Sequence, residues 1–261
     1  MTLPCLLGDY PMEKYKGFPG LNATTVRLAH RFHGEHLLHQ LRKKGESSNK
    51  TDFKLGSLIH EKWLEPESYE SSYSILPGRY EGSDPLSRKK RGAFQSTAKA
   101  TGRTVIPESL HGRVLEAVDA LGQNDEARLL LEACEAESSF FWNDPDWGKC
   151  KARLDLIDEK RIIDLKCYHG GRSESDFLRS MERQGLGIQL VWYRRGARVM
   201  GREVDRMGHL IYDPETSSVR LRWMTRNELD SAEKNCTLAL ERIALLRRSQ
   251  PQAWHRCVSH G

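Results

Sequence analysis

The chain has 261 residues, 30% of them charged, and its 41 basic and 36 acidic side chains leave a formal charge of +5. This composition argues against a disordered chain, a collagen or a disulfide scaffold, and it allows a polyanionic partner without demanding one. The six cysteines lack CxxC spacing, the start MTLPCLLGDYPM lacks the features of a signal peptide, and no window is apolar enough to span a membrane. We therefore expect a cytoplasmic protein without membrane contact.

The first half of the chain predicts mainly helices. Residues 43–52, KKGESSNKTD, are polar and predict an exposed loop. The segment LGSLIHEKWLEPE carries apolar residues at helical spacing and predicts a short amphipathic helix that ends before Pro66. Residues 73–107 show no regular pattern. Two amphipathic helices are then expected, over residues 108–121 and 126–134.

Beyond these helices the pattern changes to short segments bounded by turn residues, which is typical of strands. The strands expected over 137–142, 149–157 and 161–167 form an antiparallel meander, because residues 158–160 have the length of a hairpin connection. The remaining expected elements are helices over 173–181 and 188–198, strands over 208–212 and 219–224, and a final helix over 227–248.

Strand alternation assigns the side chains of this meander to two faces. On the middle strand one face carries Lys151, Arg153 and Asp155, and the other carries Ala152, Leu154 and Leu156. On the next strand one face carries Asp164 and Lys166, and the other carries Ile163 and Leu165. The two aspartates therefore project from one face of the hairpin, with the lysine beside the second.

Asp155, Asp164 and Lys166 together carry a recognisable chemistry. Two carboxylates held close together repel, and a hard divalent cation between them makes the arrangement favourable; Mg²⁺ suits because it prefers oxygen ligands. A lysine beside the cation can orient or deprotonate a water for in-line attack on a phosphodiester. On its own, an Asp-x-Lys strand is more often a solvated edge with a local ion pair.

The spacing D-x8-D-x-K resembles the signature of the PD-(D/E)xK nuclease superfamily, and three further elements resemble its RecB-type members. GSLIH places His60 one turn after Gly56, as in the GxxxH element, and Glu137 precedes the middle strand. QLVWY places Gln189 and Tyr193 on one helix face, as in the QxxxY element. Taken singly, each element also has an ordinary structural explanation: a histidine beside an apolar stripe, an exposed glutamate and an amphipathic helix. Their occurrence in the expected order favours the nuclease interpretation.

Similarity to one branch, the exonuclease VIII (RecE) nuclease domain, covers roughly residues 52–195 and is carried by KLGSLIHEKWLEPE, GRTVIPESLHGRVLEAVDAL, EARLLLEACEAESSFFW, CKARLDLI and IIDLK. The resemblance implies a phage-type recombination nuclease that uses Mg²⁺, or Mn²⁺, to digest linear double-stranded DNA from 5′ ends. It further implies 3′ overhangs for a single-strand annealing protein and a homo-oligomeric ring. Two positions depart from the family, Leu154 in place of a common proline and Cys167 in place of a frequent threonine.

The same resemblance implies an α/β fold with a PD-(D/E)xK, restriction-endonuclease-like core, in which a central mixed sheet with the antiparallel meander is flanked by helices. We expect a single nuclease domain over residues 1–261, divided into a mainly helical part at 1–125, the catalytic sheet and helices at 126–248, and a tail at 249–261. An iron-sulfur nuclease is disfavoured, because Cys236 and Cys257 lack clustered spacing.

The roles implied by the resemblance fall into two groups. The metal shell comprises His60, Asp155, Asp164 and the carbonyl of Leu165. The catalytic group comprises Glu137, which would lie near the metal, and Lys166, which would position the attacking water. Gln189 would hold the lysine or the substrate backbone, and Tyr193 would pack or hydrogen-bond beneath it. Removing either aspartate is expected to cost more in rate than in stability, because it relieves acid repulsion.

Contacts to DNA phosphates need only positive charge at a suitable spacing, and the candidates are Arg153, Arg88, Arg91 and Arg194. A salt bridge to Glu137 is the alternative for Arg153, and basic runs are often simply solvated. The aromatic run FFW at 140–142 is expected in the core rather than as a wedge between base pairs.

Two rival functions remain open. The same active site would serve an endonuclease or a 3′-directed nuclease. Alternatively, the acids paired with Lys166 and Arg153 would leave a non-catalytic DNA-binding recombination factor. The intact set of two acids and a lysine argues against this last reading, because a dead copy has no reason to keep two costly carboxylates together.

Overall fold

A computed structural model describes residues 3–8, 10–47, 55–168 and 173–258. The strands are β1 Cys5–Leu7, β2 Tyr73–Leu76, β3 Thr104–Pro107, β4 Glu135–Asp144, β5 Gly148–Ile157, β6 Arg161–Cys167, β7 Arg206–Asp213 and β8 Ser218–Trp223. The α-helices are α1 Met12–Gly17, α2 Ala23–Arg31, α3 Gly34–Ser47, α4 Leu55–Leu64, α5 Pro66–Ser72, α6 Pro85–Ala100, α7 Glu108–Gln123, α8 Asp125–Ala133, α9 Glu174–Gln184, α10 Leu186–Val199, α11 Arg226–Ser249 and α12 Pro251–Val258.

The main sheet has six strands in the order β1-β4-β5-β6-β7-β8. Strand β4 pairs antiparallel with β5, and β5 with β6, which confirms the predicted meander. Strands β6 and β7 are parallel, so the sheet is mixed, and β1 and β8 form its antiparallel edges. Strands β2 and β3 form a separate parallel pair.

Helices cover both faces of the sheet and enclose two apolar clusters. On one face α2, α10 and α11 bury a cluster that includes Trp142 and Trp192, whose ring centroids lie 5.2 Å apart. On the other face α4, α7 and α8 contribute Ile59, Val114 and Leu130 to a second cluster. The run FFW at 140–142 is fully buried, as predicted for core residues. A mixed α/β architecture with helices on both faces of the sheet is thereby confirmed.

Strands β5 and β6 part after two residue pairs, Leu156 with Ile163 and Ile157 with Ile162. The same register, continued by one residue, sets Asp155 opposite Asp164, where the ladder has already ended. There the N–H of Leu165 donates to Oδ2 of Asp155, at 2.7 Å, so a side chain takes the place of a backbone acceptor. The two aspartates therefore lie at the point where the strands separate.

One predicted face of β5 is wrong. Leu154 lies in the cluster of Trp142, whereas Leu156 lies in the opposite cluster, although alternation would place both on one face. The alternation is lost at Asp155, where the ladder between β4 and β5 is interrupted by Glu137, whose backbone is left-handed at φ 47°. On β6 the prediction is correct, because Ile163 and Leu165 lie together in the second cluster.

Two segments at the ends of predicted elements are more regular than expected. Helix α3 continues to Ser47, so the polar stretch 43–52 begins as helix; its residues 48–52 lie outside the described part of the chain. The expected tail, 249–261, contains helix α12. No helix in the described part of the chain combines the length and the apolarity needed to cross a bilayer.

Residues 73–107 are also regular, since they contain β2, α6 and β3. Asp84 caps α6 by accepting a hydrogen bond from the N–H of Ser87 at 2.9 Å, and Pro85 occupies the first turn, where its missing N–H is harmless. Of the residues of α6, all of which the structure describes, Ala98 alone is buried. The helix therefore lacks the apolar stripe by which sequence periodicity detects helices.

Asp158 ties together the connection between β5 and β6. Its Oδ1 accepts from the N–H groups of Lys160 and Arg161 at 2.8 and 2.6 Å, and its Oδ2 accepts from the guanidinium of Arg161 at 2.6 Å. Burial alone would raise the pKa of Asp158, but these donors outweigh burial and hold the pKa below its usual range. The charged form therefore stabilises the fold above the unfolded pKa of about 4, and this contribution is lost as pH falls through the lower folded pKa.

We expect Asp158→Ala to lower the free energy of unfolding by about 1–2 kcal/mol at pH 7, because a partly buried charged acceptor is lost. The loss should be smaller at pH 3, where the parent begins to protonate. Urea unfolding at both pH values measures the difference. The exposed neighbour Glu159, changed to alanine, serves as the control and should leave stability unchanged. An equal loss at both pH values would contradict the proposed role of the charge.

Candidate metal centre and active site

The peptide of Leu165 on β6 is the point at which the predicted site residues meet. Its N–H binds Asp155, and its carbonyl accepts from Nε2 of His60 at 2.7 Å and from Nζ of Lys166 at 3.2 Å. Nε2 of His60 also lies 3.5 Å from Oδ2 of Asp155. Asp164 joins this group because its Oδ2 lies 2.6 Å from Nζ of Lys166. Helix α4 and the separating strands thus bring four predicted residues around one backbone carbonyl.

Gly56 explains how α4 comes close enough to place His60. A Cβ atom built at Gly56 would lie 3.2 Å from Cβ of Cys167 on β6, which is tighter than ordinary side-chain packing. The glycine therefore allows the helix to lie directly against the strand that carries Asp164 and Lys166. The histidine, one turn later on the same helix, then reaches the carbonyl of Leu165. Gly56 therefore has a packing role in the segment GSLIH.

His60, Glu137 and Asp155 can bind a cation together. Each offers one ligand atom, and these atoms all lie within 4.8 Å of one another. Burial raises the pKa of Asp155, although His60 opposes the rise. Burial would lower the pKa of His60, but the neighbouring Asp155 and Glu137 outweigh it and raise the pKa. Two carboxylate groups and an imidazole are a ligand set that suits a divalent cation, which would relieve the charge repulsion between the acids.

Asp164 lies outside this ligand group in the described structure and has partners of its own. The side chain is fully buried. Its Oδ1 accepts from Nε2 of Gln189 at 2.8 Å, and its Oδ2 lies 2.6 Å from Nζ of Lys166 and 3.1 Å from Nδ1 of His209. Burial would raise the pKa of Asp164, but Lys166 and His209 outweigh burial and hold the pKa well below its usual range.

The two aspartates therefore differ in what they contribute to stability. The sequence predicted that removal of either would relieve repulsion. That expectation fits Asp155, whose charge burial disfavours. It does not fit Asp164, because removing this carboxylate would leave Lys166 and the fully buried His209 without their acidic partner.

Sequence reasoning missed His209 and Arg27. His209 stands beside Asp164 because β7 runs parallel to β6 with these two residues in register. Its ring also lies edge-on to Phe177, with centroids 5.9 Å apart, and within the described residues its Nε2 has no hydrogen-bond partner. Arg27, on α2, donates from Nη1 to Oε1 of Gln189 at 2.9 Å. The available signal was weak, because each is one of several polar residues in its element and no motif marks it.

The predicted QxxxY pair is in direct contact. Nε2 of Gln189 donates to the hydroxyl oxygen of Tyr193 at 2.6 Å, one helical turn away on α10. Burial raises the pKa of Tyr193 well above its usual value, and the nearby charge of Asp164 raises it further. The tyrosine therefore stays neutral and acts as a hydrogen-bonding support for the glutamine.

Glu137 is held by a buried arginine. It interrupts the ladder of β4 with β5 between the pairs Ala136–Leu156 and Ser138–Leu154, with its backbone in the left-handed region at φ 47°, which is strained for a residue with a Cβ. Arg153 donates to Glu137, to Glu65 at 2.7 Å and to the carbonyl of Tyr10 at 2.5 Å. Burial alone would raise the pKa of Glu137, but His60 and Arg153 outweigh it and lower the pKa. Of the two alternatives for Arg153, the structure shows the salt bridge.

The other predicted DNA contacts lie away from this centre. Arg194 is 6% exposed and forms an ion pair with Glu233 of α11, which removes it from the candidate surface cations. Arg91 donates to the carbonyls of residues 80–82 and thereby ties α6 to the preceding loop. Arg88 is exposed on α6, and its contact with DNA stays a prediction.

The site opens into a cleft of about 2420 Å³, far larger than a typical small-ligand pocket of 300–1,000 Å³. The predicted residues on its wall are His60, Glu137, Arg153, Asp155, Leu165, Lys166, Gln189 and Tyr193. The N-terminal segment forms another wall, and Lys151 anchors it by donating to the carbonyls of Tyr15, Lys16 and Phe18 at 2.7–3.0 Å. A cleft of this size leaves room for a polymeric substrate beside the metal ligands.

No protein-family model and no curated protein matches the chain. Among solved structures, it is similar to a "putative exonuclease" from Eubacterium rectale, with a TM-score of 0.59 and 15% identity over 92% of this chain and 85% of the other. A second match, SSO0001, has a TM-score of 0.33 and 14% identity over 79% of this chain and 96% of the other. At this level of identity the first comparison establishes a shared fold.

We expect Arg153→Met to lower the free energy of unfolding by about 3–5 kcal/mol, because it strands the carboxylates of Glu137 and Glu65 without their cation. Urea unfolding measures the loss, and adding Glu137→Gln should recover part of it. The control is Arg128→Met, since Arg128 also bridges two acids but is 49% exposed and should cost less than about 1 kcal/mol. Similar losses for Arg153→Met and Arg128→Met would contradict this account.

Proposed function

We propose that this protein is a metal-dependent nuclease that hydrolyses phosphodiester bonds of DNA. The observation that carries the proposal is the gathering of His60, Glu137 and Asp155 as potential ligands beside the Asp164–Lys166 pair. Three buried acids beside an imidazole and a lysine are costly to a fold and useful to hydrolysis. The likeness in fold to a protein described as an exonuclease supports the same reading.

In this mechanism a divalent cation, Mg²⁺ or Mn²⁺, supplies Lewis-acid activation of water and of the scissile phosphate. His60 and Asp155 would hold it together with the carbonyl of Leu165, Glu137 would bind it directly or through a water, and Asp164, which the structure pairs with Lys166, would complete the set. Lys166, held by Asp164, would orient the attacking water and offset the charge of the scissile phosphate. Gln189, which donates to both Asp164 and Tyr193, keeps the Asp164 carboxylate in place.

The finer proposal places the chain in the PD-(D/E)xK superfamily, near the exonuclease VIII (RecE) type. On this proposal the substrate is linear double-stranded DNA, digested from 5′ to 3′, and the product carries 3′ overhangs for a single-strand annealing protein. The protein would act as a homo-oligomeric ring around its substrate. The D-x8-D-x-K, GxxxH and QxxxY elements support this assignment, because their side chains form one connected group. His60 and Lys166 contact the carbonyl of Leu165 and Asp155 binds its N–H, while Gln189, in contact with Tyr193, joins the group through Asp164.

We expect the parent to degrade a 5′-phosphorylated linear duplex in the presence of Mg²⁺, to leave a closed circle intact and to lose activity with EDTA. Asp155→Asn should reduce the rate at least about 100-fold, because a cation ligand is lost. It should leave the melting temperature equal or higher, because the buried charge is removed while an acceptor for the Leu165 N–H remains. Gel assays of end-labelled DNA and thermal unfolding provide the two readouts.

The matched control is Asp205→Asn, an exposed acid paired with Lys160 on the surface. It should behave as the parent does in both assays. Cleavage of the closed circle would favour the endonuclease alternative, and release of label from 3′ ends would favour the 3′-directed one. Full activity of Asp155→Asn, or DNA binding without cleavage by the parent, would refute the proposed mechanism.

The exposed basic run on α6 provides a separate test of DNA binding. Changing Arg88 and Lys89 to glutamine should weaken binding to any duplex sequence and reduce the slope of log K against log salt by up to about 2, because each phosphate contact releases about one counterion. Fluorescence anisotropy at several salt concentrations measures this slope. Lys234→Gln on α11 removes an equally exposed charge and is the control. An unchanged slope would place α6 outside the DNA interface.

A further inference from the structure

The side-chain amide of Gln189 has a defined orientation. One end of an amide accepts hydrogen bonds and the other donates them, so its partners decide which way it faces. Nη1 of Arg27, which can only donate, lies 2.9 Å from Oε1. The opposite end, Nε2, lies 2.8 Å from Oδ1 of Asp164 and 2.6 Å from the hydroxyl oxygen of Tyr193. The arginine and the aspartate therefore bind opposite ends of one amide.

Arg27 is itself held in place. Its Nε donates to the carbonyl of Gln184 at the end of α9, at 2.8 Å, while Nη1 binds Gln189. Gly185, between α9 and α10, adopts the left-handed conformation at φ 67° and lies beside the arginine stem, where a Cβ would be in ordinary contact with Cγ of Arg27 at 3.4 Å. A planar guanidinium fixed through two of its nitrogens presents its donors with little freedom of rotation. Helix α2 thereby sets the position of a side chain on α10.

We propose that Arg27 is a positioning residue that acts through Gln189 to hold the Asp164 carboxylate in place beside the cation site. Without Arg27 the amide can rotate, and any rotation that turns Oε1 toward Asp164 sets two acceptors against each other. Asp164 then loses the donor on Oδ1 and keeps only Lys166 and His209 on Oδ2. The inference rests on the proposed function, because it takes Asp164 as a ligand of the catalytic cation.

The test compares Arg27→Met with the parent in two measurements: calorimetric titration with Mn²⁺ in the absence of DNA, and the Mg²⁺ concentration that gives half-maximal cleavage. Arg27→Met should raise both constants about tenfold, the size typical for loss of a residue that orients a metal ligand. Arg27→Lys should raise them about threefold, because a single ammonium cannot bind both acceptors. The control Arg31→Met removes the same charge one turn later, where the side chain lies over Phe32, and should match the parent.

A double-mutant cycle shows whether the effect passes through the glutamine. In a Gln189→Leu background, Arg27→Met should cause no further change in either constant, because the amide it orients is gone. A further tenfold change in that background, or parent-like constants for Arg27→Met, would overturn the proposal. If Arg27→Met does not fold, Arg27→Lys against Arg31→Lys decides in its place, and parent-like binding by Arg27→Lys would then overturn it.

The two measurements also separate this inference from the function it rests on. A parent that binds Mn²⁺ but cuts no DNA would refute the nuclease proposal, while the titrations of the variants would still decide the role of Arg27. A parent that binds no divalent cation would overturn both.

Discussion

The separation of β5 and β6 at Asp155 and Asp164 is the constraint on which the rest of the site depends. A hairpin that stayed paired would have used both polar groups of the Leu165 peptide, or its neighbours, in the ladder. Here the ladder stops after two pairs, and the N–H of Leu165 binds a carboxylate while its carbonyl receives an imidazole and an ammonium. The backbone itself thus becomes part of the site, and the side chains gather around it.

Charge is balanced in this site by pairing each buried group with a specific partner. Arg153 lies between Glu137 and Glu65, and Lys166 lies against Asp164. Asp155 is the acid whose charge burial disfavours most clearly, and it belongs to the group of ligand atoms suited to a cation. The acids paired with Arg153 or Lys166 thus stabilise the fold, whereas Asp155 is the acid whose charge a bound cation would stabilise most.

Buried cations also fasten the N-terminal segment to the wall of the cleft. Lys151 binds three carbonyls at the end of α1, and Arg153 binds the carbonyl of Tyr10. Of the three residues predicted to share one face of β5, Lys151 and Arg153 thereby position the segment that borders the cleft. Asp155 lies at the candidate metal centre. These two basic residues of the cleft wall therefore bind the protein's own oxygens.

How far the sequence could predict the site depends on the distance along the chain between the partners. Gln189 and Tyr193 are four residues apart, so helix geometry alone places them in contact. Asp155 and Asp164 are joined by a short hairpin, so their proximity also followed from the pattern. Helix α6 escaped detection because it is almost wholly exposed and has no apolar stripe. The burial of Arg194 depends on packing against α11, which no local pattern reports.

What the sequence by itself determined is therefore the meander and the order of the elements from α7 to α11, because these follow from periodicity and short-range spacing; the acids, the lysine and the QxxxY pair were identified through the family that their motifs resemble. Only the tertiary structure decided that His209 and Arg27 support Asp164 and Gln189, that Arg153 serves Glu137, and that Leu156 turns to the opposite face. Those contacts join residues from strands and helices far apart in the chain, and their partners are chosen by packing of the sheet and its two helical layers.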